Sequence, residues 1–106
     1  MSFQIGSTLL DACVLSVLAK GDTYGYVLTQ TMKQAIDISE STLYPVLRRL
    51  QKEGHLRTYD EPFQGRNRRY YAITETGLRK YLEYKQEWTE YKTKLDSLLD
   101  GGEDSE

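Results

Sequence analysis

The stretch Ser39–Gly54, S-E-S-T-L-Y-P-V-L-R-R-L-Q-K-E-G, constrains this chain more than any other. Leu43, Val46, Leu47 and Leu50 recur at offsets of three and four, which lines them along one face of a helix. Ser41, Tyr44, Arg48 and Lys52 fall on the opposite face at the same spacing. One face can dock on a core. The other carries hydroxyls, a phenol and cations, the groups that meet base edges and phosphates. The pattern therefore predicts a helix that enters a DNA major groove while its back packs on a small domain. Ser39 or Ser41 supplies a capping oxygen, and Gly54 stands where a left-handed residue closes a helix. Pro45 deletes a backbone bond from any helix interior, so the regular helix is expected to start near Thr42 with a loose or bent first turn.

The rest of the chain has to supply what that helix docks on. At 106 residues there is one domain's worth of chain. A domain this small covers its apolar surface poorly, and a second copy is a natural remedy. No run reaches the roughly 18 apolar residues of a membrane span, and Met1-Ser2-Phe3-Gln4 lacks the charged start of a signal peptide, which points to the cytoplasm. Cys13 is the only cysteine and His55 the only histidine. An intrachain disulfide is impossible, and no catalytic triad, zinc site or other cofactor centre is expected from the usual ligands. An enzyme is not expected. The net charge of −2 conceals a polarity, because Arg48 to Arg69 alone carries a balance of +4. Local charge governs phosphate binding, and the acidic remainder discourages indiscriminate coating of nucleic acid.

Before the central stretch, Phe3 and Ile5 read as packing on a partner or as a frayed end. Ser7 to Ala19 reads as a helix buried on several sides, with Leu9, Leu10, Cys13, Val14, Val17 and Leu18 over more than half its circumference. Cys13 is then a small core residue. A second helix is expected from Thr23 or Tyr24 to Gln34, with Tyr24, Val27, Leu28, Thr31 and Met32 at helical spacing. Gly25 in its first turn implies the close approach of a neighbouring helix. Beyond Gly54, His55 to Tyr59 reads as a strand, Asp60 to Asn67 as a turn holding Pro62 and Gly65, and Arg68 to Thr74 as the returning strand. Tyr71 and Ile73 share one face of that strand, Tyr70 and Ala72 the other. Such a hairpin forms a wing with Arg66, Arg68 and Arg69 clustered at its tip, suited to phosphates or a minor groove. His55 reads as a surface residue at the strand start.

Thr74 and Glu75 then start a last helix to about Leu99, one as cap and one as a favourable charge. Tyr81, Trp88 and Leu95 repeat at seven, as do Tyr84, Tyr91 and Leu98, with Leu78, Leu82 and Leu99 extending the stripe. This seam has little of its own chain to cover and is read as a homodimer interface. The division expected is a winged domain over residues 1–74, a dimerisation helix over 75–99 and a disordered acidic tail over 100–106.

Four segments in order add a resemblance. Tyr24-Gly25-Tyr26, then Ser41-Thr42-Leu43-Tyr44-Pro45 with Val46-Leu47-Arg48-Arg49-Leu50 and Glu53-Gly54, then Gly65 to Tyr71, then Ile73-Thr74-Glu75-Thr76-Gly77 together resemble the PadR family of bacterial transcriptional regulators. The resemblance spans residues 8 to 99. It implies a mainly α winged helix-turn-helix fold with a small β-hairpin and a long C-terminal dimerisation helix. It also implies a homodimeric repressor on an inverted-repeat operator of double-stranded DNA. By that likeness Ser41, Thr42, Tyr44 and Arg48 lie at the groove, with Tyr44 and Thr42 on phosphates and Arg48 on guanine. Arg49 and Lys52 meet phosphate or solvent, and Asn67 stands in the wing where many members carry proline. Some similar dimers hold planar aromatic effectors between paired tryptophans. Trp88, flanked by Tyr84 and Tyr91, reads either as such a slot or as plain interface packing. Two other classes stay open: a winged-helix module docking an acidic protein through Tyr44 and Arg48, and a ligand-binding dimer whose DNA role is secondary.

Overall fold

A computed structural model describes residues 6–101; Phe3, Ile5 and the last five residues of the acidic tail lie outside them. The elements run α1 (Ser7–Ala19), β1 (Thr23–Tyr24), α2 (Gly25–Ala35), α3 (Glu40–Lys52), β2 (Leu56–Phe63), β3 (Arg66–Ile73) and α4 (Glu75–Leu99). This is the mainly α winged helix-turn-helix architecture with a long terminal helix. α1 is its hub. Leu10, Val14, Leu15 and Leu18 are buried along it, and α2, α3, β3 and α4 all pack around it. Cys13 and Val17 lie half-buried against the same core, and burial pushes the Cys13 thiol pKa up.

The second helix starts later than its periodicity indicates. Tyr24 belongs to β1, a two-residue strand hydrogen-bonded to β3 at Tyr70 and Tyr71, so the sheet order is β1-β3-β2. α2 therefore buries Leu28, Thr29 and Met32, while Val27 and Thr31 face outward. Gly25 does not mark a helix–helix approach. A Cβ there would meet only the Tyr71 ring, at an ordinary 3.5 Å.

α3 begins at Glu40, two residues earlier than expected, because the Ser39 hydroxyl accepts the Thr42 N–H at 3.3 Å. Pro45 consequently sits in the second turn, inside a helix that continues regardless. Leu43, Val46, Leu47 and Leu50 are buried as the spacing requires, with Leu43 and Leu50 fully sealed. At the other end Gly54 adopts φ 82°, and its N–H and that of His55 bond the carbonyls of Gln51 and Leu50. These are the paired bonds of a left-handed helix stop.

The hairpin is longer and its turn tighter than expected. β2 and β3 pair from Leu56↔Ile73 to Phe63↔Arg66, leaving only Gln64 and Gly65 as loop. Both have positive φ, 52° and 79°, which matches the twist of the flanking strands. Pro62 is tolerated inside β2 because that strand is at the sheet edge.

α4 is capped as anticipated, with the Thr74 hydroxyl accepting from Gly77 N at 3.0 Å. The same hydroxyl donates to the Gly54 carbonyl at 2.6 Å, and Thr76 donates to it at 2.8 Å. A Cβ on Gly77 would overlap the His55 carbonyl, so α4 starts in direct backbone contact with the exit of α3. That contact, not Gly25, is where a glycine is demanded. His55 is half-buried at this junction, not a surface residue, and its Nδ1 is enclosed without a partner among the described residues.

Candidate nucleic-acid interface

The amphipathic design of α3 leaves one row of side chains outward. Ser41, Thr42, Tyr44, Arg48 and Lys52 are all exposed. The Ser39 hydroxyl lies 3.0 Å from that of Ser41 and 3.1 Å from that of Thr42, so the helix start presents a linked hydroxyl cluster. Among the described residues, neither Tyr44 nor Arg48 has a hydrogen-bond or ion-pair partner. Polar groups held outward and unspent on one rigid face are free to bind elsewhere.

Arg49, read from the sequence as meeting phosphate or solvent, does not join them. Its two terminal nitrogens donate to Asp11 of α1 at 2.5 and 3.0 Å, and Glu53 approaches at 3.5 Å. The Asp11 side chain is only 7 % exposed. The fork is thus consumed in joining α3 to α1, and this hydrogen bond raises the arginine pKa further. Sequence spacing places Arg49 one position from Arg48, but 100° around the helix, which turns it toward the domain.

The wing arginines are also distributed differently from the expected cluster. Only Arg66 sits beside the turn, exposed at the end of β3. Asn67 is exposed and paired in register with Pro62. Arg69 reaches Asp60 at 3.5 Å across the hairpin. Arg68 is clasped between two rings, its guanidinium carbon 3.6 Å from the Phe63 centroid and 4.0 Å from that of Tyr24. The series continues as Tyr24 against Tyr70, Tyr70 stacked on Tyr59 at 5.4 Å, and Arg57 over Tyr59. Sequence reasoning missed this ladder of rings and cations. Its signal was the alternation of Arg57, Tyr59 and Phe63 against Arg68 and Tyr70, legible only once the strands were extended into the supposed turn.

α4 divides into two parts. Tyr81 and Tyr84 pack against this chain's own core, and α1 runs along them, so the stripe is not left wholly for a second copy as expected. Burial raises the Tyr84 pKa. Leu78, Leu82, Trp88, Tyr91, Leu98 and Leu99 are exposed, and Leu95 is half-buried. An open cleft of about 610 Å³ lies between the start of α1 and α4, with Leu9, Ala12, Tyr84, Trp88 and Tyr91 among its walls. No group of residues suited to holding a metal occurs among the described residues, and no described helix is long and apolar enough to cross a membrane.

Comparison with known proteins gives consistent matches. Residues 14–83 match the transcriptional regulator PadR-like family. An uncharacterised protein of Lysinibacillus sphaericus is 33 % identical over 97 residues, covering 87 % of this chain and 89 % of that one. A crystal structure from Streptococcus mutans superposes with a TM-score of 0.87 at 39 % identity, covering 95 % of both chains. A PadR-like transcriptional regulator of Bacillus cereus superposes at 0.79 with 33 % identity, covering 86 % of this chain and 91 % of that one.

Proposed function

Because the chain belongs to the transcriptional regulator PadR-like family, a family of DNA-binding regulators and not of enzymes, we propose that it represses transcription as a homodimer on an inverted-repeat operator. The observation that carries this reading is the outward row of α3, where Tyr44 and Arg48 have no partner within the described residues. Arg48 forks onto a guanine in the major groove, while Thr42, Ser41 and Tyr44 fix the helix on phosphates. Lys52 and Arg66 add phosphate contacts. Residues 1–74 act as the reading unit, and residues 75–99 pair two copies through the exposed Leu78, Leu82, Trp88, Tyr91 and Leu98. Two-fold pairing sets the two α3 helices about 34 Å apart, one turn of DNA. The cleft beside Trp88 supports a planar aromatic effector, since Trp88 and Tyr91 already lie edge-tilted 6.4 Å apart with exposed ring surface.

The test is titration of the protein against its upstream intergenic DNA and a scrambled duplex at two salt concentrations. Specific binding is expected to exceed non-specific by at least about a thousandfold. Arg48→Ala is expected to relax preference at one base position, at a cost of about 1–3 kcal/mol. Equal affinity for both duplexes would favour an acidic protein as the partner of the same face.

A further inference from the structure

The space between α3 and the wing is a built feature, bounded on the α3 side by Glu40 and Tyr44. β1 ends at Tyr24, opposite Tyr70, so the edge of β3 from Arg66 to Arg69 has no strand beside it on that side. There a cleft of about 300 Å³ opens, walled by Tyr44 of α3, Tyr24, and Arg68 and Arg69 of β3. Gly25 contributes the start of α2, a helix end that no side chain caps. Thr29 lies among its lining residues, with its hydroxyl buried and without a partner among the described residues. Glu40 is the one acidic residue in the lining.

Three facts assign this cleft a ligand chemistry. The Arg68 guanidinium carbon is held within 4.0 Å of both the Phe63 and Tyr24 ring centroids, and a planar guanidinium donates only from its edge. It has no ion-pair partner among the described residues, unlike Arg49 and Arg69. A cationic fork held edge-on beside uncapped helical N–H groups and a phenol is complementary to a tetrahedral oxyanion.

The location names the source of that oxyanion. If α3 occupies a major groove and the wing an adjacent minor groove, one sugar–phosphate strand must pass between them. We propose that the cleft seats a phosphate of that strand, with Arg68 as its principal ligand, Tyr44 on one flank and the start of α2 beneath. This rests on the DNA-binding reading above and assigns Arg68 to strand positioning instead of base reading. Phe63 and Tyr24 are positioning residues, since they act through the guanidinium.

The experiment measures affinity of the full-length protein for a duplex of arbitrary sequence across a salt series, with circular dichroism to confirm folding. One phosphate contact is worth a slope of about 0.9 in log affinity against log salt, hence about eightfold between 0.1 and 1 M salt. Arg68→Gln is expected to remove about that slope, whatever the sequence. Arg68→Lys, which keeps charge without the planar fork, is expected to retain the slope but bind more weakly. Glu40→Gln is expected to tighten binding, a gain that misfolding cannot imitate. If wild type binds while Arg68→Gln keeps the wild-type slope, or Glu40→Gln gives no gain, the phosphate seat is wrong and the DNA reading survives. Full recovery by Arg68→Lys would overturn the edge-on clamp. Wild-type protein that binds no duplex at any salt would overturn the DNA reading itself, and the seat with it.

Discussion

Replacing Arg49 by methionine separates its structural role from the groove-facing role proposed for Arg48. The wild-type side chain spans from α3 to Asp11, a carboxylate only 7 % exposed, with two charge-assisted bonds. Methionine keeps the aliphatic stem and leaves that carboxylate enclosed without its cation. Stranding one member of a fully buried pair costs about 3–5 kcal/mol. Arg49 is itself 39 % exposed, so solvent already screens the pair and the cost is discounted to about 2–3 kcal/mol. The reverse change, Asp11→Asn, leaves a cation that can turn into water and is expected to cost about 1 kcal/mol. With a urea dependence of about 1.3 kcal/mol per molar, Arg49→Met lowers the unfolding midpoint by about 2 M, at least twice the shift of Asp11→Asn. Both measurements need one fixed protein concentration, because a self-associating chain gains stability with concentration. The salt slope of DNA binding should stay at its wild-type value in Arg49→Met. An unmoved midpoint together with a slope reduced by about one would show that Arg49 faces phosphate in solution, and the assignment to Asp11 would fall.

Gly77→Ala is expected to destabilise by about 3 kcal/mol, the upper end for overpacking, because its methyl meets the unyielding His55 carbonyl. Gly54→Ala, strained at φ 82° but facing open space, should cost about 1 kcal/mol, and equal losses in thermal melts would refute the distinction. Cys13, its thiol kept protonated by burial, should resist iodoacetamide in the folded protein and react promptly in denaturant; equal rates would contradict its place against the core. The Tyr59 phenol donates to Asp22 at 2.7 Å, and that bond raises its pKa above the ordinary 10.0. The folded value exceeds the unfolded one, so the contribution is full below about pH 10 and is lost as pH rises through the folded value. Stability curves of wild type and Tyr59→Phe should therefore converge above pH 10, and parallel curves would exclude the effect.

The parts legible in the sequence were those governed by a single period and a single cap. The α3 leucines, the stop at Gly54, the Thr74 cap and the extent of α4 all rest on local rules that the fold obeys. Misreadings occurred where tertiary pairing overrides local preference. Tyr24 has helical spacing with Leu28 but is recruited into a sheet by Tyr70, which turns the buried face of α2. Pro62 and Gly65 signal a broad turn, yet an edge strand accepts the proline and the turn contracts onto Gln64 and Gly65. Charges were the least legible. Arg48, Arg49, Arg68 and Arg69 form two matched pairs on paper. In space one of each pair is tied to a carboxylate, Arg49 to Asp11 of α1 and Arg69 to Asp60 across the hairpin, and which one depends on how the elements pack.

The double hydroxyl clasp on the Gly54 carbonyl makes the start of α4 and the end of α3 move as one piece. A helix of 25 residues is about 37 Å long, so a pivot of about 5° at its start displaces its far end by roughly 3 Å. In the dimer proposed above, a rearrangement where the two α4 helices meet would be delivered to the α3 helices as rotation instead of being absorbed by a slack hinge. Spin labels on α3 of each copy should then report altered separation whenever the Trp88 region is perturbed, and should stop doing so once Thr74 and Thr76 are both replaced by alanine.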